Sequence, residues 1–273
     1  VDGDYEDGRH PKEVTFTSSL EEDLKRRDFT INAMAYHPKE GLVDLFHGMD
    51  DMENKIIRCV GDPMERFHED ALRIMRAVRF SAQLGFEIEE QTKAGISRLT
   101  SNLKNVSAER IQAELVKLLV SPHPDYLRAA YETGITKEFL PEFDLCMETE
   151  QNTPYHCFTV GEHILHSLLY VEADKVLRLT MLLHDIAKPV MKTTDENGRD
   201  HFKRHAAVGE EMSKKILRRL KFDNDTIEKV SRLIRYHDDR PEGQMRAVRR
   251  AMNRIGEELF PLYLEVQKAD MLA

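Results

Sequence analysis

Residues 58 to 80, RCVGDPMERFHEDALRIMRAVRF, constrain the fold of this chain more than any other stretch. At about 100° per residue, a helix starting near Pro63 has two faces. Phe67, Ala71, Ile74, Met75 and Val78 form an apolar stripe, and Arg66, Glu69, Asp70, Arg73 and Arg76 project from the other side. Asp62 before Pro63 supplies an acceptor at the cap, followed by a residue with φ preset and no amide to leave unbonded. Asp70 and Arg73, three residues apart, are neighbours on the helix surface. Such a face can be a solvated, salt-bridged one. It can also read a base, because Arg offers donors in fixed geometry and Asp accepts from an exocyclic amine. This stretch alone leaves both open.

Two further segments bear on the choice. Residues 26 to 33 read RRDFTINA and residues 107 to 111 read SAERI; with EDALR at 69 to 73 they make three ordered motifs. From residue 1 to about 120 the chain resembles the tRNA nucleotidyltransferase and poly(A) polymerase family in its bacterial (class II) form. The resemblance implies nucleotidyl transfer with Mg2+, using CTP and ATP, with tRNA as partner. It implies that Arg27 and Asp28 contact sugar and phosphate, that Asn32 supports that site, and that Arg76 belongs to the nucleotide site. Arg26 is either part of that site or purely electrostatic. Asp70 and Arg73 are implied to pair with the incoming base, with Glu69 orienting Arg73. Cytosine and adenine both present an amino donor beside a ring-nitrogen acceptor, whereas uracil and guanine would set a carbonyl against the Asp. Glu109 and Arg110 are expected to brace the helix. The chain departs from the family at its start. The Gly-Gly turn with an Arg-Asp pair and the metal-holding Asp-x-Asp in its usual context are missing from the residues given. The catalytic carboxylates are therefore expected upstream of Val1, and the chain is expected to be a fragment unable to transfer nucleotides alone. VGDP at 60 to 63 falls where the family has a joint between head and neck; an ordinary turn fits it equally.

The second half holds a different chemistry. LLHDIAKP at 182 to 189 puts a nitrogen and an oxygen ligand side by side in His184 and Asp185, and His163, His205, His237 and Asp270 follow in ordered contexts. A lone histidine on a helix is usually a packing or surface residue, but six candidates in order argue for a metal. Imidazole and carboxylate suit Zn, Mn, Ni or Fe, or Mg with more water. From about 155 to 273 the chain resembles HD-domain phosphohydrolases, with the expected ligand positions occupied. The resemblance implies a metal-activated water attacking a phosphoester, with Lys188 as a phosphate contact. His156, His166 and His201 stay unassigned.

The 273 residues suggest about two compact units. No apolar run approaches the 18 or so residues that could span a membrane. The start, VDGDYEDGRHPK, is not a secretory signal, and Cys59, Cys146 and Cys157 lack metal-ligand spacing, so a reducing cytoplasm is expected. The net charge of −9 neither supports nor excludes RNA, because basic residues cluster at Lys25 to Arg27, along Arg66 to Arg79, and at Lys214, Lys215, Arg218 and Arg219.

The fold class expected is mainly α. A small β remnant of a nucleotidyltransferase head would occupy residues 1–62, with strands at EVTFTS (13 to 18), NAMAYH (32 to 37) and LVDLF. A helical neck and body would fill 63–150, and an all-α HD domain 151–273, the boundary lying within residues 141 to 155. Four functions compete: CCA addition to tRNA; an A-adding or poly(A) relative; a stand-alone HD phosphohydrolase whose first part binds RNA; and a non-catalytic RNA-binding module.

Overall fold

The computed structural model describes residues 19–153 and 158–273. The chain divides into two compact units, one holding residues up to Leu118 together with Tyr126–Phe139, the other Leu119–Asp125 and Leu140–Ala273. EVTFTS lies outside the described residues.

The first unit is helical, with three minor strand pairings. The hairpin Met34–His37 with Gly41–Asp44 is antiparallel. Ile56–Ile57 pairs in parallel with Glu87–Ile88, and Phe29 bridges Cys59. Residues Thr30–Asn32 form a 3-10 turn, so the strand expected from residue 32 begins at Met34.

The helix expected from Pro63 to residue 80 is two helices, Pro63–Glu69 and Leu72–Leu84. Asp70 separates them at φ −147°, ψ 105°. Its Oδ1 accepts from the Leu72 amide at 3.1 Å. The side chain thus competes with the helical backbone and restarts the helix, as short acceptors do at N-caps. The apolar stripe survives the break: Phe67, Ala71, Ile74, Met75 and Val78 are all buried. Gly95, on the helix Glu90–Leu99, lets that helix approach the first; a Cβ there would lie 2.8 Å from Cβ of Pro63. Gly85 ends the second helix at φ 70°, with its amide 2.8 Å from the Ser81 carbonyl. That left-handed turn strains any residue with a Cβ.

Helix Ala108–Leu119 packs inward through Ile111, Leu115, Leu118 and Leu119. On it Glu114 meets Arg79 in a buried pair, Oε2 to Nε 2.6 Å, with exposures of 6% and 9%.

The second unit is built around helix Lys175–Leu183, in which every residue from Leu177 to Leu183 is buried. Asp174 caps it by accepting from the Leu177 amide at 3.0 Å. Helices Val160–Ser167, Asn224–Tyr236 and Phe260–Leu272 pack on it, and His205–Arg219 packs on Asn224–Tyr236. A short hairpin, Thr193–Thr194 with Asp200–His201, interrupts the otherwise helical unit. Arg178, from the central helix, donates to the carbonyls of Leu119 and Ser121, which ties Leu119–Asp125 to this unit. The unit begins at Leu140, ahead of the stretch 141 to 155 where composition suggested the boundary, because the helix Pro141–Met147 packs against Val160–Ser167.

Glu114→Ala leaves the Arg79 guanidinium buried without its carboxylate and is expected to destabilise the chain by about 3–5 kcal/mol in urea unfolding. The paired change Arg79→Met with Glu114→Leu should recover most of that loss.

Candidate functional sites

In the first unit, Arg26, Arg27, Asp28, Asn32, Asp70, Arg73, Arg76 and Arg110 line one cleft of about 650 Å³, floored by Leu72 and Phe80. The six residues singled out for the nucleotide thus meet in one place, although 49 positions separate Arg27 from Arg76 in sequence.

Each side chain is held. Asp28 is buried; its Oδ1 accepts from the Phe29 amide at 2.8 Å and from Asn32 at 3.3 Å. Its Oδ2 receives both Nε and Nη2 of Arg76 at 2.7 Å. Both carboxylate oxygens are therefore engaged, and Asp28 acts on the cleft by fixing Arg76 and Asn32. Arg27 donates to Asp23 at 2.9 Å from the cleft edge. Arg73 donates to Glu69 at 2.7 Å, to the Arg66 carbonyl at 3.2 Å and to the Arg26 carbonyl at 2.9 Å. Asp70 and Arg73 do not pair with each other by side chain. Asp70 Oδ2 accepts from Arg110 at 3.0 Å. Glu109 is exposed on the outside of its helix, away from the cleft lining. Arg66 also donates to the Lys25 carbonyl at 2.6 Å.

Sequence reasoning missed Phe80 and undervalued Arg110. Phe80 lies one turn beyond Arg76 and packs under its guanidinium, 5.1 Å from ring centroid to Cζ. Its position at i+4 from Arg76 was the available signal. At the turn 60 to 63, Gly61 has φ 66° and Asp62 caps the next helix through the Met64 amide at 2.9 Å.

In the second unit, His163, His184, Asp185, His205, His237 and Asp270 converge. They form overlapping sets, His163–His184–Asp185–Asp270 and Asp185–His205–His237, which share Asp185, and His237 also meets Asp270 beside Asp238. Asp185 Oδ2 lies 3.4 Å from His184 Nε2 and 3.6 Å from His163 Nε2. Its Oδ1 lies 3.3 Å from His205 and 3.6 Å from His237. Asp270 Oδ1 lies 2.8 Å from His163 and 3.2 Å from His184. Lys188 reaches Asp185 at 2.9 Å and Gln151 at 3.0 Å. His201 pairs with Asp195 and His166 stacks on Phe158, both outside this cluster, and His156 lies outside the described residues.

The residues fit a metal. His184, His205 and His237 each present Nδ1 to the carbonyl three residues earlier, at 2.6, 2.9 and 2.6 Å. A carbonyl only accepts, so Nδ1 carries the proton and Nε2 of the neutral ring offers a lone pair inward. Yet Nε2 of His205 and His237 stand 3.2 Å apart. Lone pairs facing at that distance call for a cation. The buried carboxylates carry the same message: burial alone would raise their pKa values, but the imidazoles and Lys188 hold Asp185 and Asp270 well below the usual carboxylate range. Burial disfavours the His237 cation, yet contact with Asp185 leaves its pKa raised above 6.5.

Without metal, the depressed carboxylates add stability above the ordinary carboxylate pKa that is lost only in strong acid. The raised His237 adds stability below pH 6.5 that is lost as pH climbs through its folded value. The metal-free chain should therefore melt higher at pH 5.5 than at pH 8 in calorimetry. Added Zn2+ or Mn2+ should raise the melting temperature more at pH 8, where protons compete less for the ligand nitrogens.

Comparison with known proteins finds likenesses along most of the chain. Residues 1–58 match the poly A polymerase head domain, 85–147 the probable RNA and SrmB-binding site of polymerase A, and 154–272 the HD domain. The CCA-adding enzyme of Lactobacillus helveticus is 50% identical over 139 residues, covering 51% of this chain and 35% of that protein. That of Streptococcus gordonii is 42% identical over 198 residues, covering 68% and 49%. The chain thus spans between a third and a half of the length of these relatives. Among solved structures, the Bacillus stearothermophilus CCA-adding enzyme in complex with CTP superimposes with a TM-score of 0.68 at 27% identity, over 95% of this chain and 57% of that one. No helix among the described residues is long and apolar enough to cross a membrane. Head and HD regions both imply use of divalent metal. In order along the chain, these regions resemble a poly A polymerase head, its probable RNA-binding segment and an HD domain, and the chain is similar to CCA-adding enzymes.

Proposed function

We propose that the chain is the nucleotide-selecting and HD portion of a cytoplasmic CCA-adding tRNA nucleotidyltransferase, which transfers CMP and AMP from CTP and ATP to a tRNA 3′ end. The observation that carries this reading is the cleft in which Glu69 and two backbone carbonyls fix Arg73 while Arg110 fixes Asp70. Pre-set side chains of this kind can replace a nucleic-acid template. Asp70 accepts from the amino group of cytosine or adenine, and Arg73 donates to the adjoining ring nitrogen. A uracil or guanine would set a carbonyl against the Asp70 carboxylate and leave it unsatisfied. Arg27, Arg76 and Asn32 hold phosphate and ribose, with Asp28 keeping Arg76 in place. Mg2+ bridging carboxylates and phosphates would supply charge neutralisation at the transferring phosphoryl. Asp62, Pro63 and Gly61 provide a joint about which the selecting helix can move.

For the HD site the donor set suits Zn2+, Mn2+, Ni2+ or Mg2+, held by His163, His184, Asp185 and Asp270 on one side and by Asp185, His205 and His237 on the other. Such a metal would supply an activated water for phosphoester hydrolysis. Lys188, beside Asp185, is placed to contact a phosphate oxygen. An A-adding or poly(A) relative would share the same cleft.

The deciding assay offers the full-length gene product tRNA transcripts ending at the discriminator base, at C and at CC, with CTP, ATP and Mg2+. Extension of all three to CCA is expected. Addition of A to the CC transcript alone would mark an A-adding specialist, and no addition would move the function to the HD site. In the same assay Arg73→Ala should lower kcat/KM for CTP by about 10- to 200-fold, the 1–3 kcal/mol of one base contact, and erase preference over UTP. Unchanged discrimination between CTP and UTP would remove the templating role.

A further inference from the structure

Helix Met245–Ile255, MRAVRRAMNRI, carries no acidic residue. Arg246, Arg249, Arg250, Asn253 and Arg254 recur at i, i+3, i+4, i+7 and i+8, which places them on one face. All five are exposed, while Ala251 and Ile255 on the opposite face are buried. Arg254 pairs with Asp239 at 3.2 Å. Arg246, Arg249 and Arg250 have no carboxylate at ion-pair distance among the described residues. On a chain of net charge −9, three adjacent uncompensated arginines mark a surface for a polyanion.

Two grooves place this surface next to the histidine cluster. One, of about 720 Å³, runs between this helix and its neighbours and is lined by Arg218, Arg232, Arg235 and Arg254 against Glu210 and Glu228. The other, of about 570 Å³, is lined by Lys203, Arg204 and His205 against Asp238 and Asp239, the latter paired with Arg254. Arg235, Tyr236 and Arg254 belong to both, so the two join. His205 reaches the cluster directly, its Nε2 3.3 Å from Asp185 Oδ1. The carboxylates that pair with the groove arginines are weak competitors: Arg232–Glu228 at 3.0 Å and Arg235–Glu210 at 3.7 Å are partly exposed pairs that a phosphate can displace at little cost.

We infer that the arginine face of this helix and the joined grooves form a track for the backbone of a single RNA strand, delivering its end at His205. Length argues for a strand over a mononucleotide. Eight residues at about 1.5 Å each separate Arg246 from Arg254 by about 12 Å, more than one phosphate group can bridge. Tyr236, with the Arg254 guanidinium 5.5 Å from its ring, adds a stacking surface that a strand with bases can use. The direction of the strand rests on reading the cluster as a phosphoester site; the binding itself does not.

The test uses the full chain and a fluorescein-labelled twelve-nucleotide oligouridylate, followed by fluorescence anisotropy between 50 and 300 mM KCl. Arg246→Gln with Arg249→Gln and Arg250→Gln should weaken binding at least tenfold at 100 mM. The same triple should make the slope of log K against log salt shallower by about 2, since each single-strand phosphate contact contributes about 0.7. The corresponding Arg→Lys triple should stay within threefold of the parent, which separates charge from any packing change. Equal affinity and slope in the Gln triple overturn the track. So does loss of binding to phosphatidylglycerol vesicles with RNA binding intact, which would make the face a membrane surface.

Discussion

Three hydrogen bonds of one kind set the chemistry of the second unit. His184, His205 and His237 each give the Nδ1 proton to the carbonyl three residues earlier. For His184 and His237 that carbonyl belongs to the last turn of a helix, where carbonyls have acceptor capacity to spare. The bond satisfies the helix end and at the same time fixes the tautomer that leaves Nε2 as a ligand. Asp185, two residues beyond the buried helix Lys175–Leu183, then stands among four imidazoles with no freedom to turn away. Ligand geometry here is a consequence of how helices end.

The nucleotide cleft uses backbone carbonyls too, with the same polarity. Arg66 and Arg73 donate to the carbonyls of Lys25 and Arg26. The segment carrying Arg27 and Asp28 is thereby fastened to the segment carrying Asp70 and Arg73. A side chain that binds a ligand through one part of its guanidinium while anchored through another loses little entropy on binding. The break at Asp70 serves the same end. A continuous helix would have committed the Asp70 region to the regular ladder, whereas the interruption turns Asp70 to its own N-cap and to Arg110.

Charge distribution links the two units. The net charge is acidic, but arginines are concentrated in the cleft and along the helix Met245–Ile255. Surface acids elsewhere, many of them in i,i+4 pairs with lysine, account for the overall sign. For recognition of a polyphosphate ligand the local field matters, since screening confines each charge to about 10 Å.

The sequence by itself determined the helical class, the apolar stripe through Phe67, Ile74 and Val78, and the stop at Gly85. These follow from local rules: periodicity and caps. Tertiary structure decided what such rules do not reach. The Asp28–Arg76 pair, the Arg110–Asp70 brace and the buried Arg79–Glu114 pair join residues 35 to 48 positions apart, so no local pattern announces them. It also decided that the ligand list closes around Asp185 in overlapping sets, because only the packing of several helices brings His163, His205, His237 and Asp270 to that carboxylate. The unit boundary at Leu140, adjoining Pro141, was likewise set by packing of the helix Pro141–Met147. Local composition fixes where a chain turns, whereas burial fixes which side of the turn each segment joins.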